Sequence, residues 1–374
     1  MDFSKLSAYV DSLPGLRVPG CTLAVYRDHE LIFRCSAGHR DAAGEAPVRL
    51  DDTYWIYSCS KVFTTCAAME LAGEEKLFLD APVGEYLPAY RRMTVREGDT
   101  VRTAKNTLTV RHLMSMQNGM GYDLESPSIQ AALKKDPEAD TRTLVDAMAR
   151  EPLSFEPGTD FLYGLGHDVL AAVIEEVSGQ KFSDYLKKHI FEPLGLETVG
   201  FAIRQPERQS AQYFWHPEKE RVIPFSKEEN HFRLSPRYES GGAGLLCDVQ
   251  DYALFADALA CGGESADGKQ ILKKEMIQLW RANQLGPRAR ASFDGWNRKG
   301  YSYALGVRTR VDGETGGPGS LGEFGWDGAA GAWTMIDPAL HLSAFYAMHL
   351  HNFNYGWDVI HPTLRSLIYE GLNA

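Results

Sequence analysis

The sequence predicts an α+β fold in which an antiparallel sheet, flanked by helices, is built from both ends of the chain. Strand-like segments occur near the two ends, at 20–26, 31–38, 303–307, 331–336 and 342–348. The intervening sequence is mostly helical in pattern, with apolar residues three or four positions apart. We therefore expect one continuous domain, with an α/β part over about 1–75 and 237–374 and a mostly helical part over about 76–236.

The first elements follow from local patterns near the N-terminus. Apolar residues on one stripe predict a helix over 3–13, which Pro14-Gly15 ends. The next two segments alternate as strands do, and Asp28-His29 between them is a turn sequence. A helix followed by a hairpin indicates a sheet with helices packed on it.

Periodic apolar residues also predict the later helices. Thr109 is a suitable cap for one of them, and Gly179 a suitable C-terminal stop for another. Residues 204–236 are polar, without a clear period, and are predicted to be an irregular surface segment. Gly241, Gly242 and Gly244 indicate a close approach between backbones. The expected helices are 108–116, 165–178, 182–190, 248–260 and 357–370.

A chemically informative stretch lies between the N-terminal strands and the helical region. An aromatic run, Tyr54-Trp55-Ile56-Tyr57, precedes Ser58, and the residues after it have a helical pattern. If the helix begins near Ser58, Lys61 lies one turn away on the same face. A serine hydroxyl needs an adjacent base to become a nucleophile, and a desolvated lysine can serve as that base near neutral pH.

Composition narrows the classes of partner. The chain has 374 residues, a formal net charge of -11 and a pI near 5.5, which argues against nucleic acid or an anionic membrane as the main partner. It has no apolar run long enough to span a bilayer and no apolar signal core at the N-terminus. We expect a cytoplasmic protein, although a chain whose leader has been removed would look the same. The six cysteines make no Cys-x-x-Cys pair and are interpreted as free thiols, Cys59 among them as a packing residue.

Several segments, in the same order along the chain, resemble the serine β-lactamase and penicillin-binding-protein superfamily. The likeness runs from about Val18 to about Asp337 and is greatest to the branch with class C β-lactamases, D-aminopeptidases and family VIII carboxylesterases. The segments are Ser58-x-x-Lys61, Lys76–Val83, Leu108–Met114, Phe155–Gly158, Tyr163, Val177–Gly179, Pro193–Leu196 and Ser240–Leu245. The resemblance implies a β-lactamase/transpeptidase-like fold with the active site between the sheet and the helical part.

Two of the three catalytic motifs of this superfamily are altered. The first, Ser-x-x-Lys, is intact. The second, usually Tyr-x-Asn, maps onto Tyr163-Gly164-Leu165, and the third, often Lys-Thr-Gly, maps onto Trp326-Asp327-Gly328. Leu165 and Trp326 are expected to form an apolar, aromatic wall, which suits an ester of modest size better than a charged antibiotic. This combination resembles the family VIII carboxylesterases.

The resemblance assigns roles to residues of this chain. Ser58 is expected to be the nucleophile, with Lys61 and Tyr163 as a coupled base whose first proton acceptor stays open. We expect the Lys61 ammonium to lower the pKa of the Tyr163 phenol. The backbone N–H groups of Ser58 and of Ala329, on an edge strand, are expected to bind the oxyanion.

The remaining substrate-site residues are expected to act as follows. Gly328 would let an acyl chain lie close to the strand. Asp327 could orient a substrate amine, but we interpret it as a solvated loop carboxylate. Aromatic residues in loops are candidates for the pocket mouth: Tyr122, Tyr213, Phe214, Trp215, Phe232, Trp296 and Tyr301.

The predicted function is a serine hydrolase that cleaves carboxylic esters of small molecules. The same residues would serve a β-lactamase, a D-amino-acid peptidase or amidase, or an acyltransferase, and a catalytically silent binding protein is the non-enzyme alternative. His112 and His167 lie on predicted helices, which disfavours a serine–histidine triad. No metal cluster and no phosphate-binding loop is found in the sequence, so we expect no metal and no cofactor. The oligomeric state stays open.

Overall fold

The computed structural model describes residues 1–225 and 230–374. Its strands, in chain order, are β1 (Gly20–Arg27), β2 (Glu30–Gly38), β3 (Thr53–Trp55), β4 (Thr94–Glu97), β5 (Thr100–Thr103), β6 (Tyr213–His216), β7 (Arg221–Pro224), β8 (Leu246–Asp248), β9 (Tyr301–Tyr303), β10 (Arg308–Arg310), β11 (Phe324–Gly325), β12 (Trp333–Asp337), β13 (Leu342–Met348) and β14 (Leu350–His351). Its helices are α1 (Ser4–Ser12), α2 (Ser60–Gly73), α3 (Val83–Tyr86), α4 (Val110–Met114), α5 (Pro127–Lys135), α6 (Thr141–Met148), α7 (Gly166–Ser178), α8 (Phe182–Leu186), α9 (Glu192–Leu194), α10 (Val249–Ala260), α11 (Lys274–Trp280), α12 (Pro287–Asp294) and α13 (His361–Asn373).

The main sheet is antiparallel and joins the two ends of the chain. Its seven strands run in the order β2-β1-β13-β12-β11-β10-β9, so the N-terminal hairpin pairs with strands from the C-terminal quarter. Asp28 and His29, the predicted turn, both have positive φ, as the tight turns that suit a twisted hairpin require. The expectation of a sheet built from both ends is confirmed.

The two faces of the sheet are covered by different helices. Alternate residues of β1 point to opposite faces, so Leu23 and Val25 pack with α1 and α13 while Ala24 and Tyr26 pack with the larger core. That larger core contains α2, α7 and α10, and it extends into the helical part. As a result α2 is buried almost completely, and the residues at its N-terminal end lie between the sheet and the helices.

The structure differs from the sequence prediction within 204–236. Instead of an irregular segment, β6 and β7 form a hairpin, and β6 pairs in parallel with β14 near the C-terminus. Each strand of the hairpin has only four residues, and β6 also pairs with the distant β14, so no local period predicted them. Residues 226–229 of that segment lie outside the described residues. No helix in the described ranges is long and apolar enough to cross a membrane.

Candidate active site

Ser58 lies on a sharp turn that connects β3 to α2. A single 3-10 turn, Tyr57–Cys59, precedes α2, so the helix begins at Ser60 rather than at Ser58 as expected. Tyr57 has a φ of 46°, a strained conformation for a bulky residue. Its buried ring and a hydrogen bond from its hydroxyl to Gln212 hold it there. The turn leaves Ser58 at the surface of a cavity, with 8% of the residue exposed.

Lys61 is completely buried beside Ser58. Its Nζ lies 3.2 Å from the Ser58 Oγ, 2.7 Å from the Gly242 carbonyl oxygen and 3.3 Å from the Tyr122 hydroxyl. No carboxylate among the described residues forms an ion pair with it within 4.0 Å. Burial disfavours the ammonium and lowers the pKa of Lys61 to about 7. A substantial fraction of the amine is therefore neutral at physiological pH, close enough to Ser58 to accept its proton.

Tyr163 lies on the other side of Lys61, and its phenol stays protonated. The Lys61 Nζ is 4.6 Å from the centre of the Tyr163 ring, and Trp326 Nε1 donates a 2.8 Å hydrogen bond to the Tyr163 hydroxyl. Burial raises the pKa of Tyr163, and this outweighs the opposing effect of its hydrogen bonds. The expectation that this pKa is lowered is wrong, because burial of the phenol outweighs the effect of a lysine that is itself partly neutral. Of the two candidate bases, the electrostatics favour Lys61.

Tyr122 is a site residue to which sequence reasoning gave no role beyond the pocket mouth. Its hydroxyl accepts from Lys61, its ring lies 5.8 Å from that of Tyr163, and it lines the cavity. Burial raises the pKa of its phenol as well. Tyr122 comes from an irregular loop, so neither a period nor a motif marks it in the sequence.

The third-motif residues border the cavity on the sheet side. They directly follow β11, which lies inside the sheet between β10 and β12, so the prediction of an edge strand is wrong. A side chain at Gly328 would come within 2.5 Å of the Ile56 carbonyl oxygen, which places Gly328 against the turn that carries Ser58. Position 328 therefore requires a glycine primarily because the two protein backbones lie too close together for a side chain. Ala329, the next residue, lines the cavity.

Asp327 is a buried, paired carboxylate rather than a solvated one. Arg298 and Arg308 donate to its two oxygens at 2.7 and 3.0 Å, and the His361 ring lies 3.8 Å away. Although burial raises the pKa of Asp327, the two guanidinium groups together hold it below its ordinary value. Both earlier interpretations of Asp327, a solvated loop group and a partner for a substrate amine, are inconsistent with this pairing.

The cavity beside Ser58 has a volume of about 530 Å³ and is mostly aromatic. Of the loop aromatics named as candidates for the mouth, Tyr122, Phe232 and Trp296 line the cavity. The other four lie in strands and do not line it: Tyr213, Phe214 and Trp215 in β6, and Tyr301 in β9. The lining residues are Ser58, Tyr122, Tyr163, Phe232, Trp296, Arg298, Trp326, Asp327, Gly328, Ala329, Asn354, Trp357 and Asp358.

Leu165, His112 and His167 lie in environments other than the cavity beside Ser58. Leu165 precedes the first turn of α7, is only 4% exposed and packs in the main core rather than lining the cavity. The predicted wall therefore contains Trp326 but not Leu165. His112 completes a capping box with Thr109, and His167 Nε2 lies 3.1 Å from the Thr65 hydroxyl. Neither histidine is placed to serve Ser58.

A possible group of metal ligands lies elsewhere in the described residues. The donor atoms of His29, Asp257 and Cys261 lie within 4.8 Å of one another, and none of the three residues lines the Ser58 cavity. The His29 Nδ1 and the Asp257 Oδ2 already share a hydrogen bond at 2.8 Å.

Comparisons with known proteins place the chain in a family and a fold. A family model described as Beta-lactamase matches residues 6–359. Esterase EstB from Burkholderia gladioli is 28% identical over 369 residues, covering 92% of this chain and 90% of that protein. A putative D-alanyl-D-alanine carboxypeptidase from Escherichia coli K12 is 25% identical, covering 91% and 80%. Among solved structures, EstCE1, described as a hydrolase with promiscuous acyltransferase activity, superposes with a TM-score of 0.82 at 23% identity over 98% of both chains.

Proposed function

The chain belongs to the Beta-lactamase family of serine hydrolases, and from this membership we propose that it hydrolyses carboxylic esters through an acyl-enzyme on Ser58. The family and the fold are those expected from the motifs. The observation that carries the proposal is the 3.2 Å contact between the Ser58 Oγ and the Lys61 Nζ, together with the complete burial of Lys61. It joins a nucleophile to a base of which a substantial fraction is neutral at physiological pH.

Acylation begins with the neutral amine of Lys61. As the Ser58 Oγ forms a bond to the ester carbonyl carbon, its proton moves to the Lys61 Nζ. The carbonyl oxygen becomes an oxyanion, for which the backbone N–H groups of Ser58 and Ala329 are the proposed donors. When the tetrahedral intermediate collapses, the C–O bond to the alcohol part of the ester breaks. The leaving alkoxide accepts a proton from a donor in the site and departs as the alcohol.

Tyr163 is the proposed donor for that leaving group. Because Trp326 donates to the Tyr163 oxygen, the phenol keeps its own proton to donate. The Lys61 ammonium, which lies over the Tyr163 ring, would then return a proton to the Tyr163 phenolate. In deacylation a water attacks the acyl carbon, Lys61 takes one proton of that water, and Ser58 recovers its hydroxyl.

The choice of an ester over a β-lactam depends on the cavity wall. The third-motif lysine of related enzymes is replaced by Trp326, and the cationic lining residue Arg298 already donates to Asp327 and to the Trp357 carbonyl. Among the described lining residues, an anionic antibiotic would therefore find no arginine without a carboxylate partner, whereas an uncharged ester would bury apolar area against aromatic rings. EstB, whose name describes an esterase, supports the same choice.

The test compares p-nitrophenyl butyrate with nitrocefin for the wild type, Ser58→Ala and the control Ser36→Ala, which removes a hydroxyl from β2. We expect ester turnover by the wild type and the control, loss in Ser58→Ala, and little nitrocefin cleavage. Mass spectrometry should detect a butyryl adduct on Ser58. Fast nitrocefin cleavage would replace the esterase proposal with β-lactamase action, and no turnover of either compound without an adduct would contradict an acyl-enzyme.

Acyl transfer is tested in the same assay by adding an alcohol. The acyl-enzyme would be the same, and only the acceptor would differ. EstCE1, described as having promiscuous acyltransferase activity, makes this a relevant measurement. We expect release of p-nitrophenol to be accompanied mainly by butyrate, with the butyrate ester of the added alcohol as a minor product.

A further inference from the structure

We propose that Asp168 is the electrostatic partner of Lys61: a buried positioning residue that compensates the ammonium formed when Lys61 takes the Ser58 proton. Neither the Ser-x-x-Lys pattern nor the tyrosine motif contains this residue. The inference rests on the proposed function, because it assigns a role within the same site.

Asp168 is built into the first turn of α7 and is 1% exposed. Its Oδ1 accepts hydrogen bonds from the Tyr238 hydroxyl at 2.6 Å and from the Ser240 Oγ at 2.5 Å. Two donors on one oxygen favour the ionised carboxylate. Its Oδ2 is buried and makes no hydrogen bond of normal geometry to the described residues, although the Gly242 backbone N–H also favours the charged carboxylate. Burial raises the pKa of Asp168 above its ordinary value, and these donors and Lys61 oppose that rise. The side chain is thus anchored through one oxygen, with the other facing inward.

The Asp168 Oδ2 faces the space around Gly242. A side chain at Gly242 would begin 2.6 Å from the Asp168 Oδ2 and 3.1 Å from the Tyr122 hydroxyl. The carbonyl of the same glycine accepts from Lys61 at 2.7 Å, and Tyr122 accepts from Lys61 as well. Asp168 Oδ2 therefore lies behind two of the three groups that Lys61 contacts.

Asp168 also fixes the loop that receives Lys61. The Ser240 Oγ, which donates to Asp168, accepts from the Ala243 backbone N–H at 3.0 Å. The Thr64 hydroxyl donates to the Gly241 carbonyl at 2.6 Å, which joins the loop to α2, one turn beyond Lys61. Asp168 therefore helps to fix where Lys61 lies, in addition to acting on its charge.

The other titratable groups around this pair are held neutral by burial. Burial raises the pKa of the Cys59 thiol and of the phenols, and lowers the pKa of the imidazole that precedes Asp168. In the described residues, these neutral neighbours are Cys59, Tyr90, Tyr122, Tyr163, His167 and Tyr238. Asp168 is therefore the negative group that acts on Lys61 from this side. Burial lowers the pKa of Lys61, and Asp168 opposes that effect.

The consequence has a definite sign. Asp168→Asn removes a negative charge, so the Lys61 ammonium becomes less stable and its pKa falls. The acid limb of kcat/KM, where Lys61 must lose its proton, then moves to lower pH. The transition state carries that ammonium too, so the plateau value should fall by up to tenfold for each pH unit that the limb moves. A purely structural role would lower the plateau and leave the limb where it was.

The experiment measures kcat/KM for p-nitrophenyl butyrate from pH 5 to 9 in the wild type, Asp168→Asn and Asp251→Asn. Asp251 is the matched control, a buried aspartate in the first turn of α10 that accepts from Thr198. We expect the limb to move in Asp168→Asn and to stay in Asp251→Asn. A limb that does not move in Asp168→Asn, whatever happens to the plateau, would overturn the proposal.

A second variant keeps the proposal testable if Asp168→Asn does not fold. Ser240→Ala removes one donor from the carboxylate, which favours its protonated form, so the limb should move in the same direction by a smaller amount. The two proposals fail differently. Absence of ester turnover and of a Ser58 adduct in the wild type would contradict the proposed function, whereas normal turnover with an unmoved limb in both variants would contradict only the role of Asp168.

Discussion

Two buried charged regions flank Ser58, and they are built in opposite ways. On the helical side, Lys61 donates to a carbonyl and two hydroxyls, and no carboxylate pairs with it among the described residues. On the sheet side, Asp327 is clamped between Arg298 and Arg308. Burial lowers the pKa of Lys61 to about 7, whereas paired arginines hold the pKa of Asp327 below its usual value.

This difference between Lys61 and Asp327 determines which buried charged group can take part in proton transfer. A desolvated lysine with no carboxylate in direct contact titrates near neutral pH and can exchange a proton. A desolvated ion within a network of opposite charges is fixed in one protonation state and holds the backbone around it. The cavity therefore has a reactive side, where Ser58 lies beside the buried Lys61, and a rigid side at Asp327.

The largest expected effect comes from making the lysine permanently charged. Lys61→Arg keeps a cation beside Ser58, but a guanidinium does not lose its proton at neutral pH. We expect kcat/KM for p-nitrophenyl butyrate to fall by about 1000-fold or more, since the base is lost. The control is Lys5→Arg, at an exposed ion pair far along the sequence, which should change nothing. Turnover within tenfold of the wild type would remove Lys61 from the role of base.

Removing the Asp327 carboxylate, which pairs with Arg298 and Arg308, should lower the free energy of unfolding. Asp327→Asn leaves Arg298 and Arg308 buried without their carboxylate, for an expected loss of about 3–5 kcal/mol in the free energy of unfolding. Urea denaturation measures this change. Asp358→Asn is the matched control, an exposed aspartate lining the same cavity, and should lie within about 0.5 kcal/mol of the wild type. Equal stability of the two variants would mean that the Asp327 pairs are not structural.

A smaller effect is expected where the two sides of the cavity meet. Trp326→Phe keeps an aromatic ring but removes the N–H that donates to Tyr163. Loss of one such hydrogen bond corresponds to about 1 kcal/mol, or roughly fivefold in kcat. Trp296→Phe trims an indole that contacts Tyr163 through its ring and should affect KM more than kcat. A larger fall in kcat for Trp296→Phe would reverse the assignment.

The smallest effect is expected at Leu165. Leu165→Asn restores the asparagine of the superfamily motif, yet the residue packs in the core and does not line the cavity. We expect no gain in nitrocefin turnover, and a loss of about 1–3 kcal/mol of stability from the buried amide. A clear rise in nitrocefin cleavage would mean that this position does reach the substrate.

The sequence predicted what local patterns determine. The hairpin at Asp28-His29, the helix after Ser58 and the spacing to Lys61 follow from residues close together in the chain. The roles of Tyr122, Arg298 and Asp327 could not be read in this way, because each depends on a contact between distant segments. The same reason explains why β6 was missed, since its parallel partner β14 lies near the C-terminus.

The charge states were harder to predict than the positions. A nearby lysine was expected to lower the pKa of Tyr163, which assumes that the lysine is charged. Burial reverses this: it lowers the pKa of Lys61 and raises that of Tyr163. Desolvation is a property of the whole fold, so a motif that names the right residues still leaves their protonation open.

The measurement that tests this account most directly is the pH dependence of Ser58 phosphonylation by a fluorophosphonate, in which the Ser58 oxygen bonds to phosphorus and fluoride leaves, followed by mass spectrometry in the wild type. If the buried Lys61 is the base, the phosphonylation rate rises with pH as the amine loses its proton and is half-maximal near pH 7. A rate that continues to rise toward pH 10, the range of an ordinary lysine or phenol, would contradict a neutral Lys61 as the activating base.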